Sequence, residues 1–93
     1  MKISKYAHLL KKPKCQTFCE TYCLTVAGKD GHRTYTHTER RVSPQTRFKV
    51  ISLEEVHNGT GTIELVAISF LDEGHGNKVG ATEIIWVGHI RIV

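Results

Sequence analysis

Three cysteines recur at intervals of four residues, as Cys15, Cys19 and Cys23, and six histidines are scattered through the 93 residues. Thiolate and imidazole are the side chains best suited to hold zinc or to do nucleophilic work near neutral pH. The spacing argues against both uses. On a strand, Cys15 and Cys23 stand about 26 Å apart at about 3.3 Å per residue, too far to share one ion. On a helix all three would share one face, but structural zinc sites set one Cys-x₂₋₄-Cys pair against a second pair elsewhere. His32 and His37, on one predicted strand, point to opposite faces. A Cys–His nucleophile needs a thiolate beside an imidazole that a third group orients, and no stretch of this sequence specifies that arrangement. No Ser-, Asp- or metal-based signature is present either. An odd cysteine count does not make a disulfide framework. The expectation is therefore a protein that is not an enzyme, with no catalytic residue, metal or cofactor, and with reduced thiols buried as small apolar side chains, Cys19 and Cys23 among them.

Gly74-His75-Gly76-Asn77-Lys78-Val79-Gly80 has the composition of a phosphate-cradling loop. Such loops lead from a strand into a helix whose first amides bind the anion. This one leads into a β-rich segment, so it is expected to be a hairpin loop.

Charge is the stronger signal. The net charge of +4 hides a split: residues 1–49 carry 11 Lys and Arg against 3 acids, and residues 50–93 carry 2 against 6. Lys29, Arg33, Arg40, Arg41, Arg47 and Lys49 fall along the first three predicted strands, with Tyr22 and Tyr35 interleaved. Cations that neutralise phosphates, with aromatic platforms for bases, are how small β-domains hold nucleic acid. The candidate contact residues are Lys29, Arg33, Tyr35, Arg40, Arg41, Arg47 and Lys49. Lys and Arg on strand edges also serve to prevent edge-to-edge aggregation, and two oppositely charged halves also attract each other.

These residues need a scaffold, and the apolar pattern supplies one. Ile63, Leu65 to Ile68, Phe70 and Leu71 make one nearly continuous apolar run; Ile84 to Val87, Ile90, Ile92 and Val93 make another. Both are rich in β-branched and aromatic residues, which predicts two strands buried on both faces or nearly so, paired antiparallel at the centre of a sheet. Trp86, between Ile85 and Val87, is expected in the core. Residues 15–27 fit a helical stripe as well as a strand. Asp30-Gly31, a two-residue turn signal, decides for the strand. It sets Val26 opposite Tyr35, Thr25 opposite Thr36, Glu20 opposite Arg41 and Cys19 opposite Val42. Ser43-Pro44-Gln45 turns into a third strand over 47–57 that changes face near Val50-Ile51, as at a bulge. Ile3, Tyr6, Ala7 and Leu10 lie at helical spacing before Pro13.

The expected fold is mainly β and a single domain over 1–93: a short N-terminal helix (1–12), a basic hairpin (15–42) and a three-stranded core sheet (46–93). Five antiparallel strands in sequential order would curl into a sheet or a small half-open barrel of the OB or SH3-like type. No run reaches the length of a membrane span, and the first dozen residues lack the apolar region of a signal peptide, so a cytoplasmic protein is expected. The expected partner is nucleic acid, bound with low sequence specificity. The alternative is an acidic protein surface, bound by a module of the kind phages and mobile elements use as inhibitors or adaptors, with homo-oligomers through an edge strand as a further option.

Overall fold

The computed structural model describes residues 5–28, 33–58, 61–73 and 76–93. Seven strands form one antiparallel sheet: β1 (Cys15–Thr17), β2 (Thr21–Ala27), β3 (Thr34–Val42), β4 (Phe48–Asn58), β5 (Gly61–Phe70), β6 (Thr82–Trp86) and β7 (Ile90–Ile92). Their order is β3-β2-β6-β5-β4-β1-β7, so the sheet is open with β3 and β7 at its ends. The strands number seven rather than five because two expected strands are each broken once, at 18–20 and at Val87–His89. Both breaks lie at one corner, where the Phe18 amide donates to the His89 carbonyl at 2.9 Å. On one side of that corner β2 pairs with β6 (Leu24 with Ile84), and on the other β1 pairs with β7 (Thr17 with Ile90). Residues 15–27 and 82–92 thus form one bent antiparallel ribbon. That pairing also breaks the expected sequential order, since β6 lies between β2 and β5, and β1 lies between β4 and β7.

The central strand explains why the ribbon bends. β5 carries apolar side chains on both faces, and its neighbours Leu65 and Val66 are both fully buried. Val66, Ile68 and Phe70 face a large core with Cys15, Cys23, Val42, Phe48, Val50, Ile85, Val87 and Ile90. Leu65 faces the other way, into a smaller core with Leu24 and Val56, ringed by Val26, Tyr35, Ile63, Ile84 and Trp86. The register agrees: Leu65 lies opposite Trp86, and Val66 opposite Ile85. Each face of the sheet is concave over its own core, which a flat sheet cannot provide. Trp86 is only partly buried, because its side of β6 belongs to the smaller core, where its ring meets Tyr35 edge-on at 5.0 Å.

The bulge expected in the third strand is present, with the β4–β5 register shifting between Val50 and Ser52. Val50 and Leu53 thereby both serve the large core. The hairpin register is as expected for Thr25 with Thr36 and Val26 with Tyr35, and then slips: Tyr22 pairs with Arg41 and Thr21 with Val42. β3 bows out between His37 and Arg41, and Thr38 closes the gap, its Oγ1 donating to the Cys23 carbonyl (2.9 Å) and accepting from the Arg40 amide (3.2 Å). Asp30 and Gly31, the expected turn, lie outside the described residues, as do Ile3, Lys29, His32, Gly74 and His75.

The N-terminal helix is a single 3₁₀ turn, Ala7–Lys11, lying against β4. No side chain caps its start and Pro13 follows closely, so an α-helix has nothing to begin on and no room to extend. Leu9 is its buried residue, whereas Leu10, part of the expected apolar stripe, is exposed. Because both faces of the sheet are cores, Leu65→Ala and Ile85→Ala, on opposite faces, should each cost about 2–5 kcal/mol. Urea unfolding of the two variants measures this. A sheet packed on one face alone would leave one of them near wild-type stability.

Candidate functional site

The expected cationic residues do not converge. Arg33, just before β3, reaches across to β4, where Nη1 lies 4.0 Å from Glu54 Oε2 and donates to the Glu55 carbonyl at 3.3 Å. Tyr35 packs on Trp86 in the smaller core and is no open platform for a base. Arg40 grips Glu83 with two hydrogen bonds, Nε to Oε2 at 2.8 Å and Nη2 to Oε1 at 3.2 Å. Arg41 is bonded to Glu20 at 2.6 Å and lies over the Tyr22 ring, 5.5 Å from its centroid. Arg47 holds Asp72 with Nε at 2.8 Å and Nη2 at 2.9 Å, which draws the Asp72 carboxyl below its usual range and raises the guanidinium. All four arginines are therefore engaged with carboxylates, and three of the four pairs join the basic first half of the chain to the acidic second half. Arg40 and Arg41 line an open cleft of about 340 Å³ with Glu20, Glu39, Ser43 and Asn77. Its two guanidinium charges are matched by their own partners, and Glu39 adds a further negative charge, so the cleft does not favour an anion.

A different set of cations shares one face. β1 lies between β4 and β7, with Cys15 opposite both Phe48 and Ile92. Antiparallel pairing in that register sets Lys14 beside Lys49, and Gln16 between Arg47 and Arg91. Cys15, Thr17, Phe48 and Val50 point into the large core, so Lys14, Gln16, Arg47 and Lys49 point away from it. Gln16 positions Arg91, accepting from Nη2 at 2.9 Å, while its own amide donates to the Gln45 carbonyl at 3.4 Å. Lys12 precedes this row with extended backbone. The charges report each other's closeness: burial pushes the Cys15 thiol up while the ammoniums of Lys49 and Lys12 pull it back, and Lys14 helps to hold Asp72 ionised. Among the described residues, no carboxylate lies within 4.0 Å of Lys12, Lys14, Lys49 or Arg91. Lys49 donates to the Leu10 carbonyl, at 3.5 Å. Of the expected residues that are described, Arg47 and Lys49 belong to this face, and Lys29 lies outside the described residues. Lys12, Lys14, Arg91 and the exposed Phe18 were not foreseen. The signal for two of them is in the sequence, since Lys14, Gln16 and Phe18 alternate with the inward Cys15 and Thr17, next to a stretch whose own apolar spacing is helical.

Cys23 is buried under the Arg40–Glu83 pair. Burial and the Glu83 carboxylate push its thiol up to about 12, with Arg40 offsetting part of the rise. Cys19, expected buried, is exposed because it sits in the 18–20 break, and Cys15 takes its place in the core. A thiol at about 12 holds its proton at neutral pH and is no nucleophile. Among the described residues no group of three or more His, Cys, Asp or Glu is arranged to hold a metal ion.

Native protein treated with a thiol reagent near pH 8 should therefore react quickly at Cys19 alone, with Cys15 and Cys23 modified only in denaturant. Because the unfolded chain releases the Cys23 proton near 9.0 and the folded chain near 12, this group favours folding below pH 9 and that contribution is lost as pH rises toward 12. Denaturation midpoints measured across that range should fall, and should fall less in Cys23→Ala. Compared with family models, with curated proteins and with solved structures, this chain matches none.

Proposed function

We propose that the protein is a non-catalytic nucleic-acid-binding protein that holds a sugar–phosphate backbone on the β4–β1–β7 face with little sequence preference. The observation that carries this reading is the set Lys12, Lys14, Lys49 and Arg91. The register brings Lys14, Lys49 and Arg91 from three distant stretches of chain to one side of the sheet, Lys12 lies near enough to act on the Cys15 thiol, and none has a carboxylate partner among the described residues. Ammonium groups are strongly hydrated point charges suited to phosphate oxygens, and contacts to phosphates carry no sequence information. Arg47 contributes only in part, since Asp72 already occupies it.

A second reading has an observation of its own. β3 ends the sheet, pairs with β2 alone, and presents an edge to which a strand of an acidic protein partner or of a second copy can add. Binding there would depend on β3 and not on the lysines.

A salt titration of binding to a labelled oligonucleotide of random sequence, begun at low ionic strength, separates the two. Four neutralised phosphates give a slope of log K against log[salt] of about −3.6 on duplex DNA and about −2.8 on single strands. Lys14→Ala and Lys49→Ala should each weaken binding evenly across sequences and flatten the slope by nearly one unit. Arg40→Ala and Arg41→Ala, whose guanidiniums are engaged elsewhere, should leave the slope unchanged. No binding at about 50 mM salt overturns the nucleic-acid reading and leaves the β3 edge as the functional surface.

A further inference from the structure

We infer that the nucleic acid held on this face is single-stranded and that Phe18 is the platform on which one of its bases stacks. The inference rests on the reading of the β4–β1–β7 face given above. Phe18 is 66% exposed, the most exposed of the large apolar side chains among the described residues. Its backbone is nonetheless fixed, because its amide donates to the His89 carbonyl at 2.9 Å, one step beyond the Thr17–Ile90 pair. Thr17 is fully buried, so the alternation that turns Lys14 and Gln16 outward turns Phe18 outward with them. The exposed ring therefore stands just past the end of β1, at the corner, two residues beyond the outward-facing Gln16.

The other aromatic side chains are committed elsewhere. Phe48 and Phe70 are buried in the large core, and Tyr35 and Trp86 pack on each other in the smaller one. Tyr22 is flanked by His37 and Arg41 on the β2–β3 hairpin, and the Tyr6 ring carries the Lys5 ammonium at 5.1 Å. Phe18 alone combines high exposure with a place on the basic face. An exposed ring at the end of a row of phosphate-neutralising cations is the arrangement by which proteins hold unpaired strands: every base has a π-face, so stacking tolerates sequence. A duplex hides those faces in its own stack and leaves the ring nothing to meet.

The test measures anisotropy of one mixed-sequence oligonucleotide, labelled, alone and annealed to its complement, at the same low salt. The protein, Phe18→Ala and Phe18→Tyr are compared, together with Lys14→Ala. The single strand should bind more tightly than the duplex. Phe18→Ala should weaken single-strand binding roughly 5- to 150-fold and leave its salt slope unchanged, while Phe18→Tyr should bind as the parent does. So exposed a residue contributes little to the core, and circular dichroism of Phe18→Ala should match the parent. Duplex binding equal to or tighter than single-strand binding, or single-strand binding that Phe18→Ala does not weaken, overturns the inference and leaves the basic face intact as a backbone-binding surface. No binding of either form overturns the underlying reading and this inference with it.

Discussion

A strand with apolar side chains on both faces has to be covered twice, and the architecture follows from how β5 meets that demand. Leu65 and Val66 are adjacent, face opposite ways and are both fully buried. Burying each side chain from water contributes on the order of 2 kcal/mol, which no arrangement with one open face would recover. Among the described residues no helix layer covers either side. Instead the sheet curls over itself twice: β1 and β7, with Cys23 and Val42, cover the larger core on one face, and Leu24, Val26 and Tyr35 of the β2–β3 hairpin cover Val56 and Leu65 on the other. The corner at Phe18 and His89 is where the ribbon passes from one curl to the other.

That curl also determines what the charges do. It brings β3 close enough to β4 for Arg33 to reach Glu54, and it brings Arg40 to Glu83 over the buried Cys23 thiol. These pairs are exposed enough that water screens them and each contributes little to stability. Their effect is on chemistry: arginines that look free in the sequence have their donors engaged. The cations left without such partners are those whose neighbours in the sheet are neutral or positive. Lys14, Lys49 and Arg91 stand beside one another, with Gln16 and not an acid between strands.

Much of the fold was legible in the sequence because it depends on periodicity within single segments. The two apolar runs, the β4 bulge near Val50 and the pairing of Thr25 with Thr36 follow from local pattern and turn chemistry. What was not legible depends on tertiary company. The break at 18–20 separates residues of high strand propensity and exists because their ribbon partner turns there too. The β3 slip depends on Thr38, one of several threonines in that strand, being the one placed to bond the Cys23 carbonyl. The basic face was hidden for the same reason: its members lie as far apart as Lys12 and Arg91, and only the register of β1 between two distant strands unites them.

The Thr38 closure has a consequence for how the molecule behaves in a crowd of its own kind. A sheet that ends in a straight strand is a template: each copy added presents the same edge to the next, and growth need not stop. β3 is straight only at its beginning. From Thr38 onward its register against β2 slips, and there the Thr38 hydroxyl accepts from the Arg40 amide and donates across to the Cys23 carbonyl of β2. Any strand that docks finds a footing a few residues long. The slip that Thr38 bridges leaves only the first part of β3 in straight register with β2, and an edge broken in this way is a poorer template for a further strand than a straight one.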